Sequence, residues 1–174
     1  SVSDQRIHLP LLDEFQNAAE EFGIPKTKDF NTGNNHGCGY FQVTQKDGFR
    51  CSTSVGYLNP IKHRNNLKII TNAHVKKINF VDKSAKEVEF WEGNELKKVE
   101  ANREIILSSG AIGSPQILQV SGIGNPEKLK NLGIETVKDL NGVGENLHDH
   151  LMLRPIYKIN GLKSLNKKIN ITNS

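Results

Sequence analysis

Two stretches of this sequence hold the residue types that could do chemistry. In the first, Ser108-Ser109-Gly110-Ala111-Ile112-Gly113-Ser114-Pro115-Gln116-Ile117-Leu118-Gln119-Val120-Ser121-Gly122-Ile123-Gly124, an apolar segment at residues 104–107 runs into small residues and then into a helix. Small residues bring bare backbone close to a neighbour, and a helix N-terminus carries unpaired N–H groups, so the combination suits a phosphate or nucleotide. A tight strand-to-helix packing corner would use the same residues. In the second stretch, His148, Asp149 and His150 set imidazole and carboxylate groups in a row. His-x-His with a carboxylate can bind a divalent ion. Three adjacent residues alternate in direction along a strand or spread around a helix, and no distant fourth ligand stands out, so a metal-dependent hydrolase is disfavoured. Arg50 could anchor a phosphate or carboxylate, although a lone arginine more simply pairs with the protein's own acids. Cys38 and Cys51 are too few and too separated for a disulfide framework or a zinc site. His74 reads as a surface or cross-strand histidine, and no Ser-His-Asp or Cys-His arrangement carries a motif.

Four motifs in order extend the first stretch into a resemblance. Gly48-Phe49-Arg50-Cys51-Ser52-Thr53-Ser54-Val55-Gly56-Tyr57-Leu58 comes first, then Asn66-Leu67-Lys68-Ile69-Ile70-Thr71-Asn72-Ala73-His74-Val75, then the Ser108–Gly124 run, then Gly142-Val143-Gly144-Glu145-Asn146-Leu147-His148-Asp149-His150-Leu151. Together, over residues 10–153, they closely resemble the glucose-methanol-choline family of flavin oxidoreductases, nearest to its choline dehydrogenase and alcohol dehydrogenase members. The resemblance implies an α/β, partly α+β fold: a partial FAD-binding, Rossmann-like domain with a β-meander and part of a substrate domain. It implies residues 1–64 as substrate-binding and connecting segments, 65–153 as part of the FAD-binding domain, and 154–174 as the start of a truncated substrate domain. It implies FAD as cofactor, with Val75 meeting the adenine through backbone N–H and C=O. Ser109, Gly110 and Ala111 would run behind the ADP part, where side chains would collide with it. The implied reaction is alcohol oxidation by hydride transfer to flavin, with a small-molecule alcohol as substrate and no metal; the electron acceptor is unassigned. His148 departs from the glutamine common in the family.

The resemblance also implies missing parts. A Gly-x-Gly-x-x-Gly that follows a strand and opens a helix is not present, and Gly37-Cys38-Gly39 is the nearest approach. The catalytic histidine pair is expected beyond residue 174, so the chain reads as an internal, inactive piece of a larger enzyme. A complete small binding module that reuses part of the fold without catalysis is the alternative.

The elements that must position these residues follow from periodicity. Residues 10–22 repeat Leu11, Leu12, Phe15, Ala18, Ala19 and Phe22 on one face, predicting a packing helix stopped by Gly23. Residues 26–40 read as a loop, 41–44 as a short strand before a Lys46-Asp47-Gly48 turn, and 52–57 as a short helix. From Leu67 the pattern becomes β, predicting strands at 67–71, 75–81, 85–91, 96–101 and 104–107, apolar on one face and solvated by lysines on the other. Ser114 and Pro115 predict an N-cap and first helical residue, giving a helix at 115–120 ended by Ser-Gly-Ile-Gly. A second helix is expected at 126–132 between Asn125 and Gly133, then an extended segment at 134–140. A turn at 141–144 is expected to deliver 146–150 into the interior or a cleft, and the tail from Lys158 to be poorly anchored.

Composition bounds the rest. With 36% hydrophobic and 24% charged residues, the chain is polar for a domain that must bury both faces of a sheet. The net charge of +4 and pI near 9.0 come from scattered lysines without a basic block or interleaved aromatics, which argues against nucleic-acid binding. No apolar run reaches membrane-span length and no signal-peptide pattern opens the chain; because the N-terminus does not read as native, the location is left unassigned, with a soluble, cytoplasmic setting favoured.

Overall fold

The computed structural model describes residues 1–161; the tail expectation for 162–174 lies outside them. The chain divides into two compact units: Ser1–Lys68 with the stretch from Arg154, and Ile69–Leu153.

In the first unit, α1 spans Pro10–Glu21, with Pro10 at its start and Asp13 in the first turn. A ring without an N–H and an acid near the positive end of the helix dipole both suit that position. Tyr40 holds this end in place by donating its hydroxyl to Asp13 Oδ1 at 2.8 Å. Partial desolvation, followed by that bond, raises the phenol's pKa. The expected packing face of α1 buries no residue, and Phe15 stays 58% exposed. The loop after it folds back on itself, with Cys38 N–H donating to the Pro25 carbonyl and Thr27 N–H to the Cys38 carbonyl. Residues 41–44 form no strand beyond a single bridge from Val43 to Ser3. The hairpin comes later, β1 (Gln45–Lys46) against β2 (Phe49–Arg50) across Asp47-Gly48. The expected helix at 52–57 is a single π-helical turn, Ser54–Leu58, started by the Ser52 hydroxyl, which accepts from Val55 N–H at 3.3 Å. Arg50 is exposed on β2 and forms no ion pair among the described residues, contrary to the pairing expected of it.

The second unit is built on a meander, β3 (Ala73–Val81), β4 (Ser84–Glu92) and β5 (Glu95–Glu100), ordered β3-β4-β5. Ile78 and Phe90 are each 6% exposed and form the buried side of this sheet. On β4, Val88 and Phe90 share a face as period 2 requires, and their partners Ile78 and Val75 stay on that face because a register shift between Val75 and Lys77 inserts one residue. The strands expected at 67–71 and 104–107 do not form: neither segment joins a ladder among the described residues. Strand hydrogen bonds run between segments, so an apolar run fixes a conformation without supplying its partner.

Helix α2 spans Gly110–Val120, starting five residues before the predicted 115. After its C-cap at Ser121, a short strand β6 (Ile123–Gly124), helix α3 (Pro126–Asn131) and β7 (Lys138–Asp139) make a small parallel crossover. Gly122 makes the turn into β6 possible: its φ is +88°, and a Cβ there would lie 2.5 Å from the Glu135 carbonyl oxygen. Asn125 caps α3 by accepting from Lys128 N–H at 3.0 Å, and α3 buries Leu129 to 1% exposure. Among the described residues no helix is long and apolar enough to cross a membrane.

Candidate functional site

The site starts from the backbone of β3. Antiparallel ladders alternate between pairs that exchange hydrogen bonds and pairs that do not. Ile78 N–H donates to Ser121 Oγ at 2.8 Å, so the Ile78–Val88 pair is one without ladder bonds. Two residues along β4, Phe90 has the same phase and pairs with Val75. The N–H and C=O of Val75 therefore point to the outer edge of β3, where no described strand pairs. A register shift between Val75 and Lys77 makes Lys76 a bulge residue.

Helix α2 packs along β3 and β6. Ser121 fixes one end of this packing, since its hydroxyl accepts from Ile78 and donates to the Ile117 carbonyl at 2.5 Å. Both Ser121 and Ile117 are buried. At the other end, the first turn of α2 has no side-chain cap. Ser114, the predicted cap, instead accepts from Ser109 N–H at 3.0 Å from inside the helix. Gly110 opens the helix at φ +82°, with nothing within 4 Å of where a Cβ would stand. The small residues thus form the N-cap and first turn of the helix, with no side chain capping its N–H groups.

Between the Val75 edge and α2 lies a groove of about 440 Å³, lined by Val75, His74, Trp91, Ser109, Gly113 and Gln116 among others. A second groove of about 510 Å³ runs along the other side of α2, where Ala111, Pro115 and Gln116 face Gly144, Asn146 and His148. Gln116 borders both. Gln119 joins the walls of the second by donating Nε2 to the Val143 carbonyl at 3.2 Å. Lys128 and Glu145 add an ion pair at its rim.

The residues singled out from sequence are therefore distributed. Val75 and Ser109 share the first groove, Ala111 lines the second, and Gly110 sits at the helix start without lining either. Residues 146–150 are exposed rather than interior, and only 146–148 reach a groove. His148 Nδ1 lies 2.6 Å from the Asn146 carbonyl, and Asp149 accepts from the His150 backbone N–H. Each side chain is used on its own loop. Among the described residues no three His, Cys, Asp or Glu side chains converge as metal ligands.

The other face of the meander carries the expected exposed lysines, two of which pair with glutamates packed into the sheet. Glu89 is 7% exposed. It accepts from Asn79 Nδ2 at 2.9 Å and pairs with Lys98 at 3.1 Å and Lys76 at 3.2 Å. The Asn79 bond first, then Lys98 and Lys76, hold its carboxyl down to about 2 against partial desolvation. Glu87 is lowered by the same Asn79 and Lys98. The cluster anchors the bulge residue Lys76 beside Val75.

Sequence reasoning missed Ser121, Trp91 and Gln119. Ser121 was legible only as a helix stop, Trp91 only as a strand residue, and Gln119 only as part of a helix.

A family model described as GMC oxidoreductase matches residues 1–152. The chain belongs to this family. It is 40% identical over 162 residues to an oxygen-dependent choline dehydrogenase of Photobacterium profundum, covering 93% of this chain and 28% of the relative. It is 42% identical to an alcohol dehydrogenase [acceptor] of Pseudomonas putida, covering 87% of this chain and 28% of the relative. Among solved structures, an FAD-dependent oxidoreductase from Chaetomium thermophilum superposes with a TM-score of 0.79 at 34% identity, over 85% of this chain and 26% of that one. The chain thus spans little more than a quarter of the length of these family members. Their shared fold is the mixed α/β architecture described above.

Proposed function

We propose that this chain is part of the FAD-binding domain of an alcohol-oxidising flavoenzyme. The observation that carries the reading is the groove where the outer backbone edge of Val75 faces the start of α2 at Ser109 and Gly113. Three features of that groove fit a dinucleotide. The paired N–H and C=O at Val75 match the adjacent donor and acceptor on a purine edge. The uncapped first turn of α2 presents N–H groups to an anionic part. The missing side-chain bulk admits a ligand close to the backbone. FAD supplies the hydride-accepting ring; the residues here bind and orient.

The substrate class is an alcohol, a reading supported by relatives whose names are choline dehydrogenase and alcohol dehydrogenase. The histidine that takes the hydroxyl proton is assigned to the part of the enzyme this chain does not span, which is supported by the exposure of His148 and His150 and by the contact of the His148 ring with its own loop.

The test is the visible absorption of the purified full-length gene product before and after incubation with FAD. A flavin spectrum, with FAD released on denaturation, is the expected result. A protein that takes up no flavin under either condition overturns the proposal.

A further inference from the structure

Val75 offers an edge to a purine, but a purine also has two flat faces that water solvates poorly. Among the residues lining that groove, Trp91 has the broad aromatic face that could cover one. It is the only tryptophan in the sequence, it is 38% exposed, and it lines the same groove as Val75 and Ser109. Its place follows from register. Trp91 pairs with His74, the residue immediately before Val75, so the indole stands beside the strand position whose backbone faces the open edge. Across the groove, Gly113 keeps the opposite wall low, since a Cβ there would already press on Ser109 at 3.1 Å.

Resting on the FAD reading above, we propose that the Trp91 indole is the wall against which the adenine ring stacks when its edge meets Val75. Trp91 is then a binding residue for the adenosine half of the cofactor and takes no part in the redox step. Base–aromatic stacking is worth about ten-fold or more in affinity.

The test uses full-length protein stripped of flavin and titrated with FAD and with ADP. Trp91→Leu keeps an apolar side chain without a π face, and Trp91→Phe keeps a smaller one. The expected result is about ten-fold weaker binding of both FAD and ADP by Trp91→Leu and binding within about two-fold of wild type by Trp91→Phe, with both unliganded variants unfolding within a few degrees of wild type. ADP also quenches the part of the tryptophan emission that Trp91→Phe lacks, and this readout holds if Trp91→Leu fails to fold. Wild-type affinity in Trp91→Leu, or emission from Trp91 indifferent to ADP, overturns the stacking role while leaving the FAD reading intact. Wild-type protein that binds no FAD overturns the reading beneath it.

Discussion

Ser121 is a single hydroxyl on which the geometry of the groove depends. It satisfies the Ile78 N–H on the outer edge of β3 and returns its proton to Ile117 on α2. Replacing it by alanine leaves a buried backbone N–H without a partner. Ser121→Ala is expected to destabilise the protein by about 1–3 kcal/mol, read from urea unfolding of the full-length product. Its neighbour is constrained differently. Gly122→Ala forces a Cβ to within 2.5 Å of the Glu135 carbonyl at φ +88°, and a loss of about 2 kcal/mol or more is expected in the same measurement. At this scale the sequence was legible where a residue's role is local. Small size at Ser109, Gly110 and Ala111 is itself the property that opens the helix start. Ser121 was illegible because its partner lies 43 residues away.

Among elements, the meander shows how much a period of 2 with turn residues can tell: β3, β4 and β5 form within two residues of the predicted 75–81, 85–91 and 96–101. Helix α2 shows the opposite. Ser114-Pro115 has start-signal chemistry, yet the helix begins at Gly110 and Pro115 sits inside it. Proline there removes the N–H that the Ala111 carbonyl would accept from and sets its ring against that carbonyl, yet the uncapped first turn forms ahead of it. The charged face of the meander gives the element a pH dependence. Glu89 is held near 2, below the ordinary carboxylate value of 4.5, so its contribution is fully present above about pH 4.5 and lost as pH falls toward 2. Glu89→Gln is expected to flatten the acid side of the stability profile between those values, measured by thermal unfolding across pH. An unchanged acid slope would show that Glu89 does not set it.

At the scale of the whole molecule, apolar surface is the leading fact. Five hydrophobic residues are buried among the described ones, whereas Phe22, Phe49, Ile106, Ile112 and Leu153 are each at least 74% exposed. Apolar side chains left this exposed become liabilities where they lie together, and the polar composition alone did not reveal which they are. The 174-residue chain expressed by itself is expected to bind a hydrophobic dye, to self-associate on a sizing column, and to turn over no alcohol with an artificial electron acceptor; a monomer with alcohol turnover would refute this. One further consequence comes from the open edge of β3. An unpaired strand edge is a template for the edge of another chain, so in the 174-residue chain the Val75 stretch proposed to receive a purine, unlike the part of the edge held by Ser121, is also open to a strand of a second copy. A bound cofactor would then act as a plug against misassembly.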